Sequence, residues 1–132
     1  MRIAASVEYA GQDFSGWQKQ PKIKTIQGEI EKAIFSITKE NIVTTAAGRT
    51  DACVHALGQI IHFDTDLKRP INSWVKGINS FLPHSIRIKW AHEVPSDFHA
   101  RFSAKGREYQ YLLLNQSINS AIMSHYLSLI HI

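Results

Sequence analysis

The chain has 132 residues, of which 44% are hydrophobic and 20% charged, with a net charge of +4 and one cysteine. That supplies apolar material for one core and excludes a disulfide framework. The seven histidines form no H-x-x-x-H pair and no Cys–His spacing suited to zinc, so neither a metal nor a cofactor is expected.

Met1-Arg2 runs directly into an alternating pattern, with no charged start followed by an apolar stretch, so a reducing, cytoplasmic setting without a membrane anchor is expected. Ile3, Ala5, Val7 and Tyr9 fall on one face of a strand over Arg2 to Tyr9. A polar loop from Gly11 to Lys24 carries Phe14 and Trp17 without periodicity. Thr25 suits a helix cap, and Ile26, Ile30, Ala33, Ile34 and Ile37 trace the apolar stripe of a helix reaching Thr38. Glu29, Glu31, Lys32, Lys39 and Glu40 are then expected to face water.

A short strand from Ile42 to Ala46 leads into the run Gly48-Arg49-Thr50-Asp51-Ala52-Cys53-Val54-His55-Ala56, and Gln59 to Asp64 reads as the next strand. Pro70 suits the first turn of a second helix, whose Ile71, Trp74, Val75, Ile78 and Leu82 keep helical spacing until Leu82-Pro83 ends it. Ile86, Ile88 and Trp90 alternate with Arg87 and Lys89 in a fourth strand. A loop holding Phe98-His99-Ala100-Arg101-Phe102 follows, then a strand from Arg107 to Asn115 with Tyr109, Tyr111 and Leu113 on one face. No Lys or Arg occurs after Arg107, and the apolar tail over 117–132 is too short to span a membrane.

The order β-α-β-β-α-β-β predicts an α+β domain over 1–116. Its first six elements match a ferredoxin-like, RRM-like antiparallel sheet with two helices on one face and the other face free, the face that RNA-recognition folds offer to bases. The Gly48 to Ala56 run then joins two strands. Arg49 and Asp51 are two apart, so an extended backbone points them the same way, and an acid beside a cation stays ionised and aimed as a nucleophile or base requires. A solvent-exposed turn capped by Asp and Thr reads the same way when the run is taken alone.

Several separated segments together resemble the tRNA pseudouridine synthases of the TruA type. They are Phe14-Ser15-Gly16-Trp17-Gln18-Lys19-Gln20, Gly48-Arg49-Thr50-Asp51-Ala52 with Val54-His55, and Gly58-Gln59 with His62-Phe63. Asn79 with Leu82-Pro83, Asp97 to Ala104, and Arg107 with Tyr109-Gln110-Tyr111 follow in order. The resemblance implies an enzyme that breaks the bond between uracil N1 and ribose C1′, turns the base and rejoins it through C5, without a cofactor. It implies Asp51 as the catalytic carboxylate, as nucleophile or base, with Arg49 orienting it and filling the space of the flipped uridine. Tyr109 would meet the flipped base. Arg69, Lys19 and the loop of Phe98, His99, Ala100, Arg101 and Phe102 would bind RNA, with Arg107 and further lysines on phosphates.

The implied substrate is the anticodon arm of tRNA, modified on its 3′ side, and the implied assembly is a homodimer of two-halved chains. This chain would be the amino-terminal half, weakly active or inactive by itself, with 117–132 beginning the second half. Cys53 stands where the family usually has glycine, and Ala10 where an aspartate is common. A non-catalytic RNA-binding module of the same fold is the alternative. A hydrolase with an aspartate nucleophile is disfavoured, since the loop has no second acid and the chain no glycine-rich phosphate cradle.

Overall fold

The structure, a computed structural model, describes residues 1–113, 118, 121 and 123, and the backbone of 114, 115 and 128–130. Strands β1 (Arg2–Tyr9), β2 (Thr45–Ala46), β3 (Ala56–Asp64) and β4 (Ile86–Val94) form one antiparallel sheet in the order β2-β3-β1-β4. Helices α1 (Ile26–Thr38) and α2 (Ile71–Phe81) connect them, which completes the α+β, ferredoxin-like plan.

Local chemistry explains where each helix begins and ends. The Thr25 hydroxyl accepts the Gly28 N–H at 3.2 Å, satisfying one of the amides that a helix start leaves open, and Lys39 closes α1 in the left-handed region at φ 60°. Pro70 precedes α2 with its φ already near the helical value, and Leu82 ends it in an extended conformation before Pro83.

The alternation in β1 places Ile3, Ala5 and Val7 opposite Phe63, Ile61 and Gln59 of β3. That face packs against the helices. Ile3, Val7, Ile30, Ile34, Ile61, Trp74, Ile78 and Ile86 are buried there, and Trp74 meets the Phe63 ring edge-on with centroids 5.4 Å apart. A side chain of this size contributes roughly 1.5–3 kcal/mol when fully buried, so this face holds the domain together.

The sheet departs from expectation at three places. β2 is only two residues long, while β3 starts at Ala56 and so takes in the end of the Gly48 to Ala56 run. The opposite sheet face is not wholly free, because Ala4, Ser6 and His62 are buried there and the Phe98–Ser103 loop bonds across His62. The strand expected over Arg107 to Asn115 is regular only at β5 (Leu113–Asn115), which pairs in parallel with β6 (Ser128–Ile130) rather than with the main sheet. Tyr109 and Tyr111 alternate, but alternation supplies no ladder partner. A side chain ties this segment to the sheet instead, since Arg107 Nε donates to the Ala47 carbonyl at 3.0 Å. Most of the tail expected over 117–132 lies outside the described residues. Among the described residues no helix is long and apolar enough to cross a membrane.

Candidate active site

The Gly48 to Ala56 loop rests on the Gly11–Gln20 segment through main-chain bonds and one imidazole acceptor. Trp17 N–H donates to Thr50 O at 3.0 Å, Cys53 N–H to Phe14 O at 3.4 Å, and Gly11 N–H to His55 Nδ1 at 2.9 Å. Inside the loop, Val54 N–H donates to Asp51 O at 3.2 Å. Such contact demands small residues behind the loop. A Cβ on Gly11 would lie 2.0 Å from Val54 O; one on Gly16, at φ 86°, would lie 2.9 Å from Thr50 O. Phe14 and Trp17, aperiodic in sequence, are both buried, so these aromatics anchor the support. Cys53 itself has φ 66°, the conformation for which glycine is the natural residue, and its thiol is exposed.

Further side chains pin the same loop from the sheet. The Tyr9 hydroxyl lies 2.7 Å from Thr50 Oγ1, and Gln59 Nε2 donates to Gly48 O at 2.6 Å. Burial pushes the Tyr9 hydroxyl pKa above its ordinary value, with the bonds to Thr50 and Gln59 opposing, so Tyr9 stays a neutral phenol at physiological pH.

Two adjoining clefts open over the loop. The smaller, about 320 Å³, is lined by Ser15, Gly16, Gln18, Gln20, Arg49, Thr50, Asp51 and Ala52. The larger, about 650 Å³, includes Trp17, Gln27, Thr44, Arg101, Arg107 and Tyr109 in its lining and shares Gln18 and Arg49 with the first. That volume lies within the roughly 300–1,000 Å³ of pockets that take small ligands. Three guanidiniums around one cleft suit a polyanion.

The candidate residues divide accordingly. Arg49 and Asp51 share the smaller cleft, though no ion pair joins them, and among the described residues the exposed Asp51 carboxylate accepts no hydrogen bond. Arg49, Arg101 and Tyr109 share the larger. Tyr109 is 74% exposed and sits on an irregular segment rather than on the sheet face. Lys19 sits at neither lining, its ammonium 3.5 Å from Glu31 Oε1. Arg69 also lies outside both, its guanidinium 5.5 Å from the Trp74 ring centroid. Phe98, His99, Ala100 and Phe102 form the loop that carries Arg101, with the Phe102 ring 77% exposed.

Glu31 overturns the expectation that it faces water. It is buried, and its Oε2 accepts from Thr44 N–H at 2.9 Å, Thr44 Oγ1 at 3.0 Å and Gln27 Nε2 at 3.1 Å. Gln27 also accepts the Lys19 N–H at 2.9 Å and donates to Thr44 O at 3.0 Å. Sequence reasoning missed this network beneath the larger cleft. Its one visible signal is Glu31 lying beside the Ile30 and Ile34 stripe. Among the described residues no group of three or more His, Cys, Asp or Glu could hold a metal ion.

A family model described as tRNA pseudouridine synthase matches residues 5–103, a span that includes Asp51 and Arg101 and stops short of Tyr109. The tRNA pseudouridine synthase A of Shewanella frigidimarina is 46% identical over 124 residues, covering 94% of this chain and 48% of the relative. That of Chromobacterium violaceum is 50% identical over 125 residues, with 94% and 48% covered. That of Mannheimia succiniciproducens is 45% identical over 132 residues, with 100% and 50% covered. The chain spans about half the length of the curated relatives it matches.

Proposed function

The chain belongs to the tRNA pseudouridine synthase family, and from that premise we propose that residues 1–116 form the catalytic domain of an enzyme that isomerises uridine to pseudouridine in the anticodon arm of tRNA. The observation that carries this reading is the placement of Asp51. A carboxylate stands exposed on a loop held from behind by main-chain bonds, in a cleft it shares with Arg49. A binding module has little use for an acid there, because it repels phosphate.

On this reading a flipped uridine bridges the two clefts. The ribose turns toward Asp51 in the smaller, and the uracil toward Tyr109 in the larger, with Arg49 and Gln18 at the boundary. Asp51 acts on C1′ as a nucleophile or on the sugar as a base. The N1–C1′ bond breaks, a C5–C1′ bond forms, and the proton leaving C5 is balanced by one gained at N1, so no oxidant or cofactor is consumed. Arg49 helps fill the space left in the RNA.

Arg49, Arg101 and Arg107 contact phosphates. For Z neutralised phosphates the slope of log affinity against log salt is near −0.7Z to −0.9Z, so three contacts give a slope of about −2 to −3. The chain's partners on this reading are tRNA and, in the whole protein, a second copy of itself, in the cytoplasm.

The test is Asp51→Asn under single-turnover conditions with unmodified tRNA, following tritium release from C5-labelled uridine. Isomerisation is abolished while affinity for the anticodon stem-loop stays equal or rises slightly. A collapse of affinity instead would make Asp51 structural and leave the non-catalytic RNA-binding module as the better reading. Turnover by the 132-residue chain alone is expected to be weak, because the exposed Asp51 carboxylate accepts no hydrogen bond among the described residues and its cleft is open to water. Full multiple turnover by this chain would contradict that.

A further inference from the structure

The loop that carries Arg101 is held in an unusual way. Three consecutive main-chain amides donate to imidazole nitrogens: Ala100 N–H to His62 Nδ1 at 3.0 Å, and Arg101 and Phe102 N–H both to His99 Nδ1 at 3.2 Å. The remaining ties are ordinary. Ser103 N–H donates to His99 O at 2.8 Å, His99 N–H to Ser103 Oγ at 2.9 Å, and Arg2 Nη1 to Phe98 O.

The rings themselves are packed into place. His62 projects from β3 and is buried, its centroid 4.8 Å from His99 and 6.3 Å from Phe98. His99 stacks on Phe102 at 4.3 Å, and Arg101 Cζ lies 5.7 Å from the Phe102 centroid while its side chain lines the larger cleft. An imidazole nitrogen accepts only while it carries no proton. Neutral rings with the proton on Nε2 satisfy all three amides, and a protonated ring leaves its amide partners facing another donor.

We propose that His62 and His99 are positioning residues, an imidazole clamp that holds the Phe98–Ser103 loop and aims Arg101 at an RNA phosphate in the larger cleft, and that protonation of His62 releases it. This rests on reading the cleft as RNA-binding. The charged and titratable groups facing His62 are Arg2 from β1, Asp64 on its own strand and His99 from the loop. Burial, then Arg2 and His99, push the His62 pKa below its ordinary value, with Asp64 opposing. His62 is therefore neutral at physiological pH. Its contribution to stability is present above the ordinary histidine pKa and is lost as pH falls through the lowered one.

The sign separates this from bulk electrostatics. Acidification makes the chain more cationic, which alone would tighten RNA binding. The clamp predicts the reverse.

The experiment measures affinity for a labelled anticodon stem-loop RNA by fluorescence anisotropy at fixed ionic strength, from about pH 8 to about pH 5, the window in which histidine titrates. Wild type is expected to lose affinity severalfold toward the acid end of that range. His62→Asn puts a non-titrating amide oxygen in place of Nδ1; it keeps the neutral-pH affinity and shows a flatter pH profile. His62→Phe keeps a ring but no acceptor, and binds about tenfold more weakly at neutral pH, as does Arg101→Ala, the loss expected for one charge-assisted contact.

Amide hydrogen exchange reads the clamp without RNA. In His62→Phe exchange speeds up at Ala100 while β1 amides stay protected, which separates loop release from unfolding. Wild-type affinity that rises with acid, or His62→Phe binding as wild type does, overturns the inference, as does Ala100 exchange left unchanged in that variant. Failure of wild type to bind the RNA at neutral pH overturns the reading of the cleft itself, and the inference with it.

Discussion

The Gly48–Ala56 loop and the Phe98–Ser103 loop each send an arginine to the larger cleft, but they are held by different chemistry. The first lies on the Gly11–Gln20 segment mainly through amide-to-carbonyl bonds, with glycines where the chains come closest. The second hangs on imidazole acceptors. Backbone carbonyls do not titrate, so the bonds of the Asp51 loop to Trp17 N–H and through Cys53 N–H are sensitive to bulk behind them rather than to protons, and its imidazole contact is that of His55 Nδ1 with the Gly11 N–H. The loop bearing Arg101 has three successive amides on imidazole acceptors and so depends more on protonation. On the proposed reading, one surface keeps its acid on a loop held mainly by carbonyls while its grip on phosphate varies with pH.

The sharpest way to break the comparison is Gly11→Ala. Its Cβ would sit 2.0 Å from a backbone oxygen, which no rotamer relieves, so the loop or its support must move. A loss of about 3 kcal/mol, the upper end for overpacking, is expected in urea denaturation, with isomerisation lost and the pH profile of RNA binding unchanged. Glu31→Ala comes next. It strips the acceptor from Thr44 N–H, Thr44 Oγ1 and Gln27 Nε2, and should cost about 2 kcal/mol, with Glu31→Gln costing less because one acceptor oxygen remains. Equal losses in the two variants would mean that the charge facing Lys19, not the acceptor, is what matters.

Acidification has a smaller and local effect. As pH falls through the lowered His62 pKa, exchange should quicken at Ala100 before it does at Trp17 or Cys53, whose amides bond to carbonyls. Simultaneous loss of protection in both loops would erase the distinction. The smallest effect belongs to Cys53→Gly. It relieves a left-handed residue that costs roughly 1 kcal/mol, partly offset by the freedom glycine gains when unfolded, so a thermal midpoint gain worth about 0.5 kcal/mol is expected, without a change in pH dependence.

Much of this molecule is legible from local pattern. Thr25, the Ile26 to Ile37 stripe and the Pro70 to Leu82 interval define both helices because caps and a 3.6-residue period act within a few residues. β1 is equally plain. Glu31 is hidden from the pattern for a related reason: helical spacing puts it on a polar flank, and nothing in the pattern marks the approach of Thr44. The segment from Arg107 reads as a longer strand because Tyr109 and Tyr111 alternate, although a strand also needs a ladder partner.

The candidate site divides in the same way. The motifs around Asp51 and Arg101 are visible as residue types at fixed spacing, and Cys53 as a residue out of place. The sequence by itself determined the elements, their order and the chemistry-bearing side chains, since propensity, periodicity and capping are short-range. Only the tertiary structure decided that Arg49 is shared by two clefts, that Lys19 and Arg69 sit outside both, and that His62 receives the amide of Ala100, 38 residues away. The physical reason is that a buried donor must find an acceptor wherever the chain brings one near, and that meeting is settled by packing across the sheet rather than by any neighbour in sequence.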